Sequence, residues 1–484
     1  MRENEPNMKS KISRSNSCES TPECKPYHWW IVLPVVVVSM TTTSADPTLL
    51  NDLMIRRARE KFGIYNATSP SSETACNSEH LQNDTDFVTK STEVQKFVSH
   101  LNILMAGVGV VPAVLTYIIL GANCDRIGRR PLLIIPCVGR VIRFIILLLL
   151  VRYNLSDVWL IVSTCIDGLF GSNSLLLLGA IAYISDCTTK RERSRAMLLE
   201  EAAVALTRIF PLLGLGFWLR GHDYTLPISI DLGINCAAIV YIFCFQPESC
   251  GENNRHILAL FQQLKQVRLT PIRGTYRVFL IQRPEHNQRT IILLTSIQIV
   301  LFIILFGFVS IHPLYLYGKP FCFDALNLAI LTSAQFALMI FITIVLSIFE
   351  KASFIHSMII SLVGIFMYMI HLVLFGVAHS VWLLYLGKIQ KRYSQQINVF
   401  FSLAVFIGCL FFVVMAVVRS QLTKLVDQTE YALVFIATGI VETIGSYILG
   451  IISNAIYART IDIYPGIIFF ILAGIGFIPL IISG

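Results

Sequence analysis

The chain has 484 residues, of which 55% are hydrophobic and only 14% are charged, with a formal net charge of +8. Soluble domains carry about 25% charged residues, so these charges are too few to coat the surface of a soluble chain of this length. The basic residues lie between apolar runs, which argues against a nucleic-acid-binding protein. The composition predicts a polytopic membrane protein.

Apolar runs along the chain have the length of membrane-spanning helices. About 20 apolar residues cross the roughly 30 Å hydrocarbon core of a bilayer. Open strands leave backbone groups unpaired in lipid, and the runs are too long and too uniformly apolar for barrel strands. We therefore predict an all-α membrane protein with 12 transmembrane helices. The runs lie at 28–53, 97–120, 132–151, 157–184, 196–219, 227–246, 289–311, 326–349, 355–377, 381–418, 431–452 and 464–483.

The runs form two groups of six, separated by a polar and basic segment. This pattern predicts a tail at 1–27, an N-terminal six-helix half at 28–246, a cytoplasmic linker at 247–288 and a C-terminal half at 289–483. With the N-terminus inside, the inner segments hold 22 Lys and Arg residues and the outer segments hold 10. Because basic loops stay on the cytoplasmic side, both termini are expected to be cytoplasmic.

The largest outer segment is the loop at 54–96. It contains glycosylation sequons at Asn66 and Asn83, and we expect this loop to be glycosylated because the topology independently places it outside. Cys76 lies in this loop and Cys322 in another outer loop, where the environment is oxidising. These two cysteines are either unrelated thiols or a bridge between the two halves.

The inner loop between the second and third runs carries a pattern of glycines and charges, G-x-x-x-D-R-x-G-R-R. Its fixed positions are Gly121, Asp125, Arg126, Gly128, Arg129 and Arg130. The positive-inside rule alone would require arginines here but not this spacing. The pattern resembles the signature loop of the major facilitator superfamily, which latches the inner gate in the outward-open state. The resemblance implies a role for these residues in a cytoplasmic gate, not in contact with substrate.

Longer stretches resemble the proton-coupled folate transporter family, which also includes the thymic stromal cotransporter. The stretches at 183–202, 314–324, 419–430 and 454–457 carry the resemblance, which covers most of the chain from Tyr65 to the C-terminus. It implies that two halves rock around a central cavity to give alternating access.

The same resemblance implies roles for individual residues. The family bridges a cysteine of its first outer loop to one that matches Cys322, and the partner position matches Cys76. Its proton-coupling glutamate on the fifth helix falls on Glu201, and the arginine that ends its tenth helix matches Arg419. The sequence departs from the folate members at the seventh helix, where leucine stands near Leu305 in place of a histidine.

Several charged residues interrupt the apolar runs. They are Asp46, Arg140, Arg143, Asp167, Glu200, Glu201, Arg208, Asp231 and Glu442. A charge inside the bilayer is costly, so such residues face a cavity or a partner. Some sit near span ends and could instead reach the interface, an interpretation that suits Glu200, Arg140 and Asp231.

Glu201 and Arg208 are seven residues apart, on one face of a helix. That face either lines the transport path or packs against its neighbours. Arg143 and Arg208 offer fixed positive charge for a carboxylate or phosphate of a solute. The predicted proton-coupling and transport-path residues are Glu201, Asp167, Arg143, Arg208, Glu442 and Arg419.

The sequence therefore predicts a transporter of a small organic anion by proton-coupled symport, in the plasma membrane or an endolysosomal membrane. The alternative is a receptor or scaffold of the same fold that does not transport. We expect no enzyme, no metal site, no nucleic-acid partner, no cofactor beyond protons as the coupling ion, and a functional monomer within the lipid bilayer. His312 and His371 are interpreted as isolated packing residues.

Residues 387–401 place Lys388, Lys391 and Arg392 inside an apolar run. Without this segment, residues 381–386 and 402–418 would join into one span of ordinary length. One hypothesis is that the segment is a translated intron or a gene-model error. The alternative is a genuine outer loop that splits two shorter helices.

Overall fold

The computed structural model describes residues 27–63, 85–188, 190–221, 223–249, 285–318, 321, 323–348, 354–386, 407–408, 411, 414, 418 and 431–479. Every regular element in these ranges is a helix, which confirms the predicted all-α fold class. A short 3-10 turn, Trp29–Val32, precedes the first α-helix.

The helices of the first half are α1 (Leu33–Lys61), α2 (Thr85–Ala122), α3 (Cys124–Ile127), α4 (Arg130–Tyr153), α5 (Val158–Leu169), α6 (Ser172–Cys187), α7 (Lys190–Leu219) and α8 (Thr225–Cys244). Those of the second half are α9 (Glu285–Tyr317), α10 (Ala325–Ile348), α11 (Phe354–Leu386), α12 (Tyr431–Thr460) and α13 (Ile467–Ile475). In the described ranges, nine segments are long and apolar enough to cross a membrane, and α7 and α13 contain shorter apolar stretches.

These helices match the predicted spans except at the fourth, which is interrupted, and around the tenth. Helix α11 runs without a break from Phe354 to Leu386. The prediction that the ninth span ends near 377 and a tenth begins at 381 is therefore wrong. No proline interrupts this stretch, so nothing removes a backbone donor and ends the helix earlier. Segment 387–401 lies outside the described residues, and the total of 12 spans stays a prediction.

Helix contacts occur both within and between the two predicted halves. In the first half, α1 packs against α7, α2 against α5, and α4 against α8. In the second half, α9 packs against α12, and α11 against α13. Two extensive contacts join the halves: α2 with α12, and α7 with α10. We call the membrane face at which α1 begins the inner face, in keeping with the predicted orientation.

The fourth predicted span is broken near its middle. Helix α5 ends at Leu169 and α6 begins at Ser172, with φ +84° at Gly171 and φ +48° at Ser172. Glycine has no Cβ, so it adopts the left-handed conformation that this break requires. The Thr116 hydroxyl of α2 donates a hydrogen bond to the carbonyl of Leu169 over 2.9 Å.

Candidate transport site

A cluster of charged side chains is buried among four helices of the first half. The Arg143 guanidinium lies between two carboxylates: its Nη2 is 2.7 Å from Asp46 Oδ2, and its Nη1 is 3.8 Å from Asp167 Oδ2. Arg140 and Asp231 interact electrostatically with Asp46. We call these five residues, from α1, α4, α5 and α8, the central charge cluster.

Arg140 is fixed against helix α1. Its Nη1 donates to the Ser39 carbonyl over 2.8 Å, to the Ser39 hydroxyl over 3.1 Å and to the Thr42 hydroxyl over 2.9 Å. The interpretation that Arg140, Glu200 and Asp231 extend to the interface is wrong, because 5%, 3% and 8% of their surfaces are exposed. The Arg140 guanidinium does not need to reach water at the interface, because three acceptors on α1 bind its Nη1.

Three polar atoms of the cluster have no hydrogen-bond partner within the described part of the chain. They are Asp46 Oδ1, Arg143 Nε and Asp167 Oδ1. Buried polar atoms are normally paired, because an unpaired one loses its hydration without compensation. These atoms therefore mark a place where the protein could hold a proton, water or a polar group of a solute.

The cluster reaches the second half through Tyr447 of α12. This tyrosine interacts electrostatically with Arg143 and Asp167. Its ring lies close to α2: a Cβ added to Gly109 would be 2.9 Å from Tyr447 Cε1. A group held at Arg143 would thus lie beside a side chain of the opposite half.

Among the described transport-path residues, the structure brings Arg143 and Asp167 together. Arg208 has its guanidinium carbon 5.1 Å from the ring centroid of Phe336 on α10, and Glu442 is half-buried on α12. The Glu201 side chain and Arg419 lie outside the described residues. Sequence reasoning did not assign Asp46, Arg140, Asp231 or Tyr447 to this site, although a charge in the first span was an available signal for Asp46.

The predicted cytoplasmic gate loop is anchored within its own half. Arg129 Nε is 2.8 Å from Asp186 Oδ2, at the end of α6. The Glu248 carboxylate, just after α8, accepts hydrogen bonds from the backbone amides of Arg129 and Arg130 over 2.7 and 3.1 Å. Gly128 has φ +91°, and an added Cβ would lie 2.6 Å from Glu248 Oε2.

The remaining gate residues differ in their exposure. Gly121 is buried and Arg126 is exposed, while the Asp125 side chain lies outside the described residues. The gate role of this loop stays a prediction.

The outer face is closed by contacts between the two halves. Arg220, after α7, pairs with Asp324 over 2.7 Å, and Lys96 of α2 pairs with Asp462, which follows α12. Tyr457 of α12 donates a hydrogen bond to the Gln95 side-chain oxygen of α2. These bonds hold the outer ends of both interfacial helix pairs together.

A tyrosine also binds a carboxylate at the outer face. Tyr224 donates a hydrogen bond to Asp52 Oδ2 over 2.7 Å. Burial, reinforced by the Asp52 charge, raises the pKa of Tyr224 well above its ordinary value. The tyrosine therefore stays protonated and remains the donor.

The two histidines of the second half are packing residues, as interpreted, but they are not isolated, because they share aromatic neighbours. The Phe308 ring centroid is 4.8 Å from that of His312 and 5.2 Å from that of His371, and Phe375 packs against both histidines. Both histidines therefore belong to one aromatic cluster, to which α9 and α11 contribute. Within the described residues, no group of three His, Cys, Asp or Glu side chains could hold a metal ion.

Four predicted modification sites cannot be placed in this geometry. Cys76, Cys322, Asn66 and Asn83 all lie outside the described residues.

The family profile of the Major Facilitator Superfamily matches residues 98–445. The chain belongs to this superfamily. The superfamily consists of membrane transporters and not enzymes. The resemblance to this superfamily that was seen in the loop from Gly121 to Arg130 is therefore confirmed.

Two groups of curated relatives lie within the superfamily. The lysosomal proton-coupled steroid conjugate and bile acid symporter SLC46A3 of Gallus gallus is 24% identical over 455 residues, which cover 93% of this chain and 92% of that protein. The proton-coupled folate transporter of Rattus norvegicus is 25% identical over 398 residues, which cover 81% and 80%. The resemblance to the folate transporter family is thereby confirmed.

Solved structures of superfamily members share the fold. The human organic anion transporter MFSD10 aligns with TM-score 0.55 at 15% identity, over 94% of this chain and 98% of that one. The xylose transporter XylE from E. coli aligns with TM-score 0.56 at 12% identity, over 94% and 98%. An auto-inhibited POT family peptide transporter aligns with TM-score 0.60 at 12% identity, over 94% and 96%. At these identities the likeness shows the fold alone.

Proposed function

We propose that the chain is a proton-coupled symporter of a small organic anion that works by alternating access. The observation that carries this proposal is the buried Arg143, paired with Asp46 and Asp167 and beside Tyr447 of the opposite half. The names of both groups of relatives support it, since they describe proton-coupled transport of folate or of steroid conjugates and bile acids.

The chemistry of the central charge cluster fits this function. A guanidinium presents several donors in a fixed plane, which suits a carboxylate, sulfate or sulfonate. The neighbouring carboxylates can bind and release protons. Because the cluster meets α12 of the second half through Tyr447, occupation of the site can influence how the halves close.

Further features belong to the same proposal. The chain is a multi-pass membrane protein, which we assign to the plasma or endolysosomal membrane with both termini cytoplasmic. The loop from Gly121 to Arg130 acts as the inner gate. Glu201, Arg208, Glu442 and Arg419 contribute to the transport path. The protein works as a monomer and needs no cofactor beyond protons.

Uptake into proteoliposomes of the purified chain tests the function. The probes are tritiated folic acid, taurocholate and estrone sulfate, each with an acidic or a neutral exterior. The wild-type protein should concentrate at least one probe when the exterior is acidic, and a protonophore should abolish this accumulation.

Two variants of α4 sharpen the test. Arg143→Ala should abolish uptake, whereas Arg152→Ala, at an exposed position near the end of the same helix, should retain it. Failure of the wild-type protein to move any probe under either condition would favour the receptor or scaffold alternative.

A further inference from the structure

Asp46 occupies the anion-binding face of Arg143. Its Oδ2 is 2.7 Å from Arg143 Nη2, whereas the nearest oxygen of Asp167 is 3.8 Å from Nη1. Asp46 is therefore the main counterion of this arginine. An anionic group that uses Arg143 as its ligand has to compete with Asp46, because both bind the same guanidinium edge.

The charges of the cluster make this competition dependent on protons. The five residues comprise three carboxyl groups and two guanidinium groups, so the fully ionised cluster carries one net negative charge. An anionic solute would raise this to two negative charges in a largely buried site, at a large electrostatic cost. Binding of one proton together with the solute removes that extra charge.

Among the three carboxyl groups, Asp46 is the one whose neutralisation releases Arg143. Asp167 is farther from the guanidinium, and Asp231 interacts with both arginines only at longer range. Arg140 is less available than Arg143 as the solute ligand, because its Nη1 already donates to Ser39 and Thr42.

The helices around Asp46 supply the charged groups that act on it. Those from α4, α5 and α8 are Arg140, Arg143, Asp167 and Asp231. From the other half, Tyr447 of α12 lies beside Arg143 and Asp167. On α7, which also packs against α1, Arg208 lies against Phe336, and the Glu201 side chain is outside the described residues.

We propose that Asp46 is the carboxyl group whose protonation releases Arg143 to bind the anionic group of the solute. This inference rests on the proposed symport. A proton from the outer solution adds to the Asp46 carboxylate, which becomes a neutral carboxyl group and gives up its ion pair with Nη2. The solute anion then takes that place. On the inner side the solute leaves, Asp46 releases its proton to water, and the ion pair with Arg143 forms again.

This arrangement links proton affinity and solute affinity by necessity. A proton on Asp46 strengthens solute binding, and a bound solute strengthens proton binding by the same factor. Asp46 also lies on α1 between the residues that hold Arg140 and the Asp52–Tyr224 hydrogen bond at the outer face. Loss of the ion pair thus frees the middle of α1 from α4, while the inner part of α1 stays bound to Arg140.

Three variants test Asp46 in the full-length protein. Asp46→Asn has no charge to compete for Arg143, so the KM for the transported probe at neutral pH should fall to the wild-type value at acidic pH. Its pH dependence should disappear, and uptake driven by the proton gradient should be lost while exchange of internal for external probe continues. Asp46→Glu should restore the pH dependence of KM. Glu60→Gln, which neutralises an exposed carboxyl on the same helix outside the cluster, should keep it.

A spectroscopic arm tests Asp46 without a transported probe. Infrared difference spectra of the purified protein between neutral and acidic pH should show a protonated carboxyl band that is absent in Asp46→Asn and present in Glu60→Gln. A wild-type protein that moves no probe would overturn the symport proposal, and this arm would still decide whether Asp46 titrates. The same band in Asp46→Asn, or an unchanged pH dependence of its KM, would overturn the role of Asp46.

Discussion

The hydroxyl of Tyr457 donates a hydrogen bond over 2.8 Å to the side-chain oxygen of Gln95, and so joins the outer ends of α12 and α2. Both residues are buried, and they belong to opposite halves. The bond therefore has to break whenever the outer face opens.

Tyr457→Phe should shift the protein toward outer-open states. A buried hydrogen bond contributes about 1 kcal/mol, so the open population should rise by roughly fivefold. Hydrogen–deuterium exchange at the outer ends of α2 and α12 measures this shift. Tyr241→Phe is the matched control, because it removes a tyrosine hydrogen bond to the Ile31 carbonyl within one half. Equal exchange in the two variants would contradict a gating role for Tyr457.

Asp324 has two separable functions at the outer face. It pairs with Arg220, and its Oδ1 accepts a hydrogen bond from the Asn327 amide at the start of α10. Asp324→Asn keeps a side-chain oxygen for that helix cap but removes the charge, whereas Asp324→Ala removes both. We expect both variants to open the outer face equally. Only Asp324→Ala should lose a further stability of about 1 kcal/mol, measured by thermal unfolding in detergent.

Glu248 should stabilise the inner loop chiefly through two backbone hydrogen bonds. Glu248→Ala leaves the buried amides of Arg129 and Arg130 unpaired, which should cost about 1–3 kcal/mol in unfolding free energy. Glu248→Gln retains one acceptor oxygen and should lose less. Thermal unfolding of the two variants measures the difference, and an equal loss would show that the carboxylate acts only through its charge.

Gly109 leaves room for Tyr447 beside the central charge cluster. Gly109→Ala should displace the tyrosine ring and lower solute affinity with little loss of stability. Gly107→Ala is the control on the same helix, since its nearest contact would be Ile451 Cδ1 at 3.9 Å. The KM of the transported probe, measured beside thermal unfolding, separates displacement of Tyr447 from general damage to α2. A matching rise in KM for Gly107→Ala would contradict the prediction.

The proposed bridge between Cys76 and Cys322 has a direct chemical test. On intact cells, an impermeant thiol reagent should label neither cysteine until a reductant is added. Cys322→Ser should then expose Cys76 to labelling without reductant. Immediate labelling of the wild-type protein would show that the two thiols are independent.

Sequence reasoning identified Arg143 and Asp167 because a charge in an apolar run carries a cost that has to be compensated. It did not reveal that Arg143 pairs with Asp46, since the two residues lie on different helices whose relative rotation is set by packing. The interpretation that Arg140 reaches the membrane interface was wrong for the same reason. Its hydrogen bonds depend on Ser39 and Thr42 of α1, and nothing local to α4 indicates that those acceptors stand opposite.

The length of α11 shows that the end of a helix is also difficult to predict from sequence. The predicted runs left a boundary between residues 377 and 381, but the helix continues to Leu386. Polar residues do not end a helix, because its backbone hydrogen bonds need only donors and unstrained dihedral angles. A proline would have given the stronger signal.

The break between α5 and α6 has a consequence for how the fourth span tolerates substitution. Where the helix stops in mid-membrane, the carbonyl of Leu169 finds no donor further along its own helix and depends on the Thr116 hydroxyl of α2. Thr116 is thus part of the backbone bonding of a helix to which it does not belong. Valine at position 116 would preserve shape and hydropathy yet leave a peptide oxygen unsolvated in hydrocarbon. Serine, although smaller, would keep the span intact.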